Sequence, residues 1–275
     1  MIDLHTHSNI SDGSLRPSAL VQKACKDGLT AIALTDHDSL DGLKEAEEAC
    51  SRLGLRFIRG IEIDIAFEPG EFHLLGLDLG QNTGAFDHLL AQFENSREKR
   101  NLLLIGLLQK EGFDISYDDV KTIAGPGVIG RPHIAETLVK KRLVKTKQEA
   151  FDKYLGKGRA LFVKKESVEL AEAIKAIKAS GGLVIVAHPM SLFVSWTRLR
   201  TMFGEWKELG IDGIEAFHPA ARIVDCNRLD SLAKEFGFKV SAGSDFHGEA
   251  RPDRRLGYTA GNKAISQDFL KIFDS

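Results

Sequence analysis

Short apolar runs alternate with segments of helical hydrophobic spacing at both ends of the chain. Runs such as Thr30–Thr35 are apolar throughout, which is typical of strands buried on both faces of a parallel sheet. Segments between the runs, such as Ser18–Asp27, carry apolar residues at helical spacing. The pattern predicts about seven strands: Met1–His5, Thr30–Thr35, Leu55–Glu62, the hairpin strand Phe72–Leu79, Leu183–Ala187, Gly213–Phe217 and Phe238–Ala242.

The alternation stops in the middle of the chain. Phe86–Glu111 predicts one long helix, and further helices are predicted near Tyr117–Ile123, from Arg131, and near Lys147–Tyr154, with a Gly-Pro-Gly break at 125–127. Proline after Arg131 is tolerated in the first turn of a helix. We therefore predict a barrel domain at 1–81 and 161–275, and a helical insertion at 82–160 that recognises the substrate.

Composition narrows the class of protein. The length of 275 residues is near the usual size of a barrel of alternating strands and helices. A formal net charge of -2 provides no polycationic surface, so a DNA duplex is not an expected partner. The three cysteines lack CxxC spacing, which predicts reduced, buried thiols. Without a signal peptide or an apolar run long enough to span a bilayer, a cytoplasmic protein is expected; its oligomeric state stays open.

Histidine and carboxylate residues gather at the predicted strand ends or on the hairpin strand. Six of the nine histidines of the chain belong to this set. Mixed imidazole and carboxylate ligands suit manganese, iron or zinc, and the absence of thiolate disfavours a structural zinc site. The candidate ligands are His5, His7, Asp12, His37, Glu62, His73, His188, Asp245 and His247.

Five short motifs resemble those of the PHP (polymerase and histidinol phosphatase) family. They are Asp3-Leu-His-Thr-His-Ser8 with Asp12-Gly13, Thr35-Asp-His-Asp38, Gly60-Ile-Glu62, Ala187-His-Pro189 and Gly243-Ser-Asp-Phe-His247. Gly130-Arg-Pro-His-Ile-Ala135 and the helical insertion are similar to the branch of nucleotide phosphatases. That branch includes 3',5'-nucleoside bisphosphate phosphatases and a 5'-to-3' exoribonuclease.

The resemblance implies a distorted (β/α)7 barrel that holds three divalent metal ions, with manganese expected first and iron or zinc as alternatives. Carried over to this chain, the first metal takes His5, His7, Glu62 and Asp245. The second shares Glu62 and adds His73 and His188. The third takes Asp12, His37 and His247.

The expected reaction is hydrolysis of a phosphate ester. The substrate would be a 3',5'-bisphosphonucleotide or the 5' end of short RNA, attacked by a hydroxide that bridges two metals. Glu62, His133 and His247 are the predicted catalytic residues, with His133 acting on the leaving oxygen. Arginine binds phosphate bidentately, so a clamp on the second phosphate is predicted. The predicted substrate contacts are Arg97, Arg100, Arg131, His133 and His218, and Lys164 and Lys165 are weaker candidates.

Two other functions stay open at this point. Histidinol-phosphate phosphatase would use the same metal ligands, but the Arg-Pro-His helix and the long insertion favour a larger substrate. A polymerase-associated or metal-binding module without catalysis is the alternative from another class. Only a phosphoesterase that acts on these nucleotide substrates predicts that activity is lost, with metals retained, when Arg131 is changed.

Overall fold

The computed structural model describes residues 1–81, 83–125, 129–156, 158–163 and 167–274. They divide into two compact units. The first unit combines Met1–Leu89 with the chain from Ser167 onward, and the second is Leu90–Glu166. The domain division at residues 82 and 160 stays a prediction; the predicted break at 125–127 lies outside the described residues, except for Gly125.

Seven strands of the first unit form one sheet in the chain order β1 to β7. Neighbouring strands pair in parallel except at β4, which is antiparallel to both of its neighbours. The strands are β1 (Ile2–Asp3), β2 (Ala31–Leu34), β3 (Arg56–Ile65), β4 (Phe72–Leu77), β5 (Leu183–Val186), β6 (Gly213–Phe217) and β7 (Lys239–Ala242). The predicted (β/α)7 barrel is confirmed, and the β3–β4 hairpin is its distortion.

Helices separate most of the parallel strands. The helices of the first unit are α1 (Pro17–Lys26), α2 (Leu43–Leu53), α7 (Leu170–Ala179), α8 (Trp196–Glu208) and α9 (Ile223–Glu235); α3 (Asp87–Lys110) begins there and continues into the second unit. Beyond β7 come short 3-10 turns and the small pair β8 (Tyr258–Thr259) and β9 (Lys263–Ala264). Among the described residues, none of the helices has the length and apolar character needed to cross a membrane.

The described part of the second unit contains helices and connecting turns but no strand. Its remaining helices are α4 (Tyr117–Ala124), α5 (Arg131–Lys140) and α6 (Lys147–Ala150), followed by a π-helical turn at Phe151–Leu155. Its core is an apolar cluster that includes Leu104, Leu108, Val120, Ile134 and Leu138. The predicted helix over Lys147–Tyr154 is therefore split into a short α-helix and a π turn.

The β3 strand is longer than the sequence predicts. Its antiparallel pairing with β4 continues to Ile65, with Glu62 opposite Leu75 and Asp64 opposite His73. Glu62 therefore lies inside a strand rather than at its end. Conversely, the predicted first strand Met1–His5 shortens to β1, so that His5 lies beyond it.

One prediction about the cysteines is wrong. Cys50 and Cys226 are buried, but Cys25 is exposed. Helix α1 buries Leu20, Val21 and Ala24, and Cys25 falls outside that buried stripe.

The two ends of the chain close the barrel. The amide of Asp245 donates to the carbonyl of His5 (2.9 Å), and the amide of His7 donates to the carbonyl of Phe246 (2.9 Å). The buried Asp3 carboxylate reinforces this seam by accepting from the amide and hydroxyl of Ser244 and from the amide of Gly257. The seam aligns the His5-x-His7 segment with the Asp245-x-His247 segment.

Gly243 permits the close approach of the two ends. A Cβ at this position would lie 2.2 Å from Cβ of His5 and 2.6 Å from Oε1 of Glu215. Both neighbours are fully buried, so neither can move aside cheaply.

We expect Gly243→Ala to lower the free energy of unfolding by about 1–3 kcal/mol or more, because overpacking a rigid core forces backbone shifts. Gly106→Ala is the matched control, since a Cβ there meets nothing within 4 Å. Alanine in that helix interior should be neutral or stabilising by about 0.5–1 kcal/mol. Urea denaturation of both variants tests this, and equal stability of the two would contradict the close-packed seam.

Candidate metal centre

The candidate ligands converge on one rim of the barrel. Parallel strands place their carboxyl ends at the same edge of a sheet, and the β3–β4 hairpin adds two further side chains there. His5 and His7 follow β1, His37 follows β2, Glu62 and His73 lie on β3 and β4, His188 follows β5, and Asp245 and His247 follow β7. His188 and Asp245 have positive φ angles of 27° and 53°, an uncommon conformation that often marks functional sites.

The Glu62 carboxylate lies at the middle of the cluster and is fully buried. Its Oε1 is 2.9 Å from Nδ1 of His73 and 3.0 Å from Nε2 of His188. Its Oε2 faces three other nitrogens: Nε2 of His5 at 3.3 Å, Nε2 of His7 at 3.2 Å and Nδ1 of His37 at 3.2 Å. The two oxygens therefore serve two different sets of histidines.

The first group consists of His5, His7, Glu62 and Asp245, whose potential ligand atoms all lie within 4.8 Å of one another. Nε2 of His5 and Nε2 of His7 are 3.1 Å apart. Oδ1 of Asp245 lies 3.4 Å from Nε2 of His7. The structure thus brings together the four residues expected to hold the first metal.

The second group consists of His37, Glu62 and His73. His188 adjoins it through Oε1 of Glu62, and its Nδ1 lies 2.9 Å from the hydroxyl of Ser191. The structure thus places His73 and His188 beside one Glu62 oxygen, as expected for the second metal, and adds His37 to their surroundings.

The third group consists of His7, Asp12, His37 and His247. Nε2 of His247 is 3.1 Å from Oδ1 of Asp12, and Nε2 of His37 is 3.9 Å from Oδ2 of the same carboxylate. His7 belongs to this group as well as the first, because its Nδ1 lies 3.8 Å from Asp12 while its Nε2 faces Glu62. The family resemblance assigned His7 to one metal only.

The donor atoms fit a group of divalent cations. Nδ1 of His7 and Oε2 of Glu62 are buried without a hydrogen-bond partner among the described residues. Buried polar atoms of this kind are costly unless something satisfies them. Lone pairs that converge from histidine and carboxylate, without thiolate, match the preferences of manganese, iron or zinc.

Protons and metal ions compete for these atoms. Burial lowers the pKa of His7, but its close contacts with the carboxylates of Asp245 and Glu62 outweigh this and raise the pKa to about 10. The pKa of His73 rises to about 9, because the charge of Glu62 overcomes the effect of burial. Burial alone would raise the pKa of Glu62, but the histidines hold it well below its usual value. The pKa of His37 falls to about 4, chiefly through burial.

A second layer of carboxylates orients the ligands. Oε1 of the buried Glu215 lies 3.0 Å from Nδ1 of His5, and its Oε2 accepts from the amide of His188 at 2.9 Å. This contact leaves Nε2 of His5 free to face the first group, the usual arrangement for a metal-ligating histidine. Asp36 accepts from the amide and hydroxyl of Ser8 and from the hydroxyl of Ser11, so it shapes the loop between His7 and Asp12.

Two residues beside the centre carried no role in the sequence analysis. Asp3 joins the two ends of the chain through the hydrogen bonds described above. In the sequence, only its place in the first motif marked it. Arg254 is buried, and its Nε lies 3.8 Å from Oδ2 of Asp245. It sits in an irregular segment after β7, where no periodicity marks it.

His218 is buried against the metal centre rather than exposed at the open end of the barrel. It is 4% exposed, and its Nε2 is 3.3 Å from Oδ2 of Asp245. Burial lowers its pKa, which favours the neutral ring. A substrate contact for His218 stays a prediction.

The remaining predicted substrate residues belong to the second unit. Arg97 is half-buried, and Arg100 is buried and donates from Nε and Nη2 to Oδ1 of Asn101. Arg131 begins α5, with its guanidinium 5.1 Å from the ring centre of Phe162. Nδ1 of His133 accepts from the amide of Gly130 at 3.0 Å. Lys164 and Lys165 lie outside the described residues.

Comparisons with known proteins agree on one family. The PHP domain model matches residues 3–178. The chain is 36% identical over 252 residues to a 5'-3' exoribonuclease of Haemophilus influenzae, covering 89% of each chain. It is 30% identical over 259 residues to a 3',5'-nucleoside bisphosphate phosphatase of Chromobacterium violaceum, covering 94% of this chain and 91% of the relative.

A solved structure from Bifidobacterium adolescentis, described as a metal-dependent phosphoesterase, has the same fold. It superposes with a TM-score of 0.84 at 30% identity, covering 98% of this chain and 94% of the other.

The shared position of Glu62 predicts the effect of removing its charge. We expect Glu62→Gln to lower the affinity for metal ions at least roughly 100-fold. Replacing even a residue that only hydrogen-bonds to a metal ligand typically lowers metal affinity about 10–100-fold. His88→Gln is the matched control, because His88 is 75% exposed, pairs with Glu172 and belongs to none of the three groups. Elemental analysis after dialysis should show reduced metal content in the first variant only; full retention by Glu62→Gln would contradict the shared-ligand geometry.

The raised histidine pKa values predict a pH dependence for the metal-free protein. A raised folded-state pKa gives stability that is complete below the unfolded value near 6.5 and is lost as pH rises through the folded value. For His73 and His7 those values are about 9 and about 10. The midpoint temperature of thermal unfolding of the chelator-treated protein should therefore decrease as the pH is raised from about 6.5 to about 10.

His73→Gln should reduce the slope of this fall, while His88→Gln should leave it unchanged. If the midpoint of the unsubstituted protein stays constant or rises over the same pH range, then protonated His7 and His73 do not stabilise the metal-free fold through the neighbouring carboxylates.

Proposed function

The chain belongs to the PHP domain family, and from this premise we propose that it is a metal-dependent phosphoric ester hydrolase acting on nucleotides. The proposed substrates are 3',5'-bisphosphonucleotides or the 5' ends of short RNA. The observation that carries the proposal is the division of the Glu62 oxygens between two sets of histidines. This is the arrangement that a cluster of adjacent cations requires.

We propose that the nine candidate residues hold three divalent ions, with manganese as the first choice. When bound, such ions neutralise phosphate charge, activate water and clamp the oxygens of an in-line displacement. Glu62 would be a ligand of two of the ions, and Asp12, His37 and His247 would hold the third. Glu215 contacts Nδ1 of His5, which leaves Nε2 of His5 directed towards the proposed metal ions.

His133 is proposed to donate a hydrogen bond to the leaving oxygen. Because its Nδ1 accepts from the amide of Gly130, the proton of the neutral ring resides on Nε2. This tautomer presents an N–H donor. His133 therefore suits stabilisation of the developing negative charge on that oxygen.

Arg97, Arg100 and Arg131 are proposed to bind the phosphate that is not cleaved. Arg131 stands at the first position of α5, where helix amides and the helix dipole favour an anion. The stacking of its guanidinium on Phe162 restrains the side chain, which lowers the entropy lost when it binds phosphate. A substrate with two phosphates would use this clamp, whereas one with a single phosphate would not.

The substrate class is tested by phosphate release from four compounds with the manganese-loaded protein. The compounds are 3',5'-bisphosphoadenosine, 5'-AMP, histidinol phosphate and a 5'-phosphorylated oligoribonucleotide. We expect the bisphosphate or the oligonucleotide to be preferred over both monophosphates. Stepwise release of mononucleotides would identify an exonuclease. Cleavage of histidinol phosphate alone, or of none of the four, would contradict the proposal.

The clamp predicts a selective loss in Arg131→Gln. Loss of a charge-assisted contact should lower kcat/KM for the bisphosphate by roughly 10- to 100-fold. Metal content and hydrolysis of 5'-AMP should change little, because neither uses the clamp. Arg142→Gln, which removes an exposed arginine of the same unit, is the control. Equal losses on both substrates would contradict the assignment.

A further inference from the structure

A cavity outside the metal centre lies in the first unit, beside the seam that closes the barrel. Its volume is about 560 Å³, within the range of about 300–1,000 Å³ that is usual for small-molecule sites. Lys23 of α1, Phe246 of the seam and the segment around Arg254, Arg255 and Tyr258 line it. Along the described residues after β7 the chain forms short 3-10 turns and the β8–β9 pair rather than an α-helix.

The cavity adjoins the seam at Phe246, whereas the metal centre is built from the residues on either side of Phe246 in the sequence. Phe246 packs with Leu20 and Val21 of α1 in an apolar cluster. Its neighbours in sequence, Asp245 and His247, point to the histidines instead. None of the nine candidate metal ligands lines the cavity, so the cavity is a separate site, and Arg254 lies between it and Asp245.

Arg254 gives the cavity a buried cation. Its side chain is 6% exposed, and its closest carboxylate oxygens are 3.5 Å away on Asp253 and 3.8 Å away on Asp245. Nε has no hydrogen-bond partner among the described residues. A buried donor left unsatisfied is costly, and an acceptor on a bound anion would offset that cost.

The same cavity offers flat surfaces beside the cations. The guanidinium carbon of Arg255 lies 3.6 Å from the ring centre of Tyr258, a stacked pair. Nζ of Lys23 lies 5.9 Å from the ring centre of Phe246 and 2.9 Å from the carboxylate of Asp27. Aromatic and guanidinium planes of this kind stack on nucleic-acid bases, and arginine binds phosphate.

We propose that this cavity is a second ligand site that takes a nucleoside monophosphate. The phosphate would lie toward Arg254, and the base would lie against the Arg255–Tyr258 pair. The site is independent of the proposed hydrolase activity, since none of the nine candidate metal ligands lines it.

The test is calorimetric titration of the chelator-treated full chain with 5'-AMP, adenosine and inorganic phosphate. We expect 5'-AMP to bind at least tenfold more tightly than either fragment, because only 5'-AMP engages both the cation and the stacked pair. Arg255→Ser and Tyr258→Leu should each weaken 5'-AMP binding at least tenfold. Arg251→Ser, a half-exposed arginine of the same segment that does not line the cavity, should bind as the protein without substitutions does.

Arg131→Gln separates this site from the proposed clamp, and it should leave 5'-AMP binding unchanged. Circular dichroism of each variant checks that it folds. Equal 5'-AMP affinity in Arg255→Ser, Tyr258→Leu and the unsubstituted protein would overturn the proposal. The absence of 5'-AMP binding at millimolar concentration would overturn it as well, whatever the outcome of the hydrolase assays.

Discussion

The contact of one buried carboxylate with five imidazoles sets the architecture of this protein. Glu62 lies on β3 and divides its two oxygens between histidines of β1 and β2 on one side and of β4 and β5 on the other. Like charges would accumulate in such a cluster if the imidazoles were protonated, and lone pairs would collide if they were not. Divalent cations resolve both problems, because they replace protons and satisfy several lone pairs at once.

That cluster exists only if the two ends of the chain meet. The pairing of the His5 segment with the Asp245 segment closes the barrel and aligns two pairs of ligands in the same step. Gly243 allows the approach, and Asp3 holds it from the far side of the seam. The pairing that closes the barrel therefore also assembles part of the site, and it brings together residues that are 240 positions apart in the chain.

Much of this arrangement can be predicted from the sequence, since each ligand follows or lies on a recognisable strand. The limits have physical causes. The length of β3 depends on its hairpin partner, so the sequence places Glu62 at a strand end although it lies inside the strand. The double contact of His7 depends on how its ring is turned, which spacing does not fix. Arg254 acts through a loop without periodicity, and so its contact with Asp245 needed the three-dimensional structure.

The central claim, that Glu62 joins neighbouring cations, is tested most directly by anomalous diffraction from crystals of the manganese-loaded protein. The account predicts one manganese peak beside each oxygen of Glu62 and a third beside Asp12 and His247. A single peak that Glu62 does not contact, or peaks away from the histidine cluster, would contradict it.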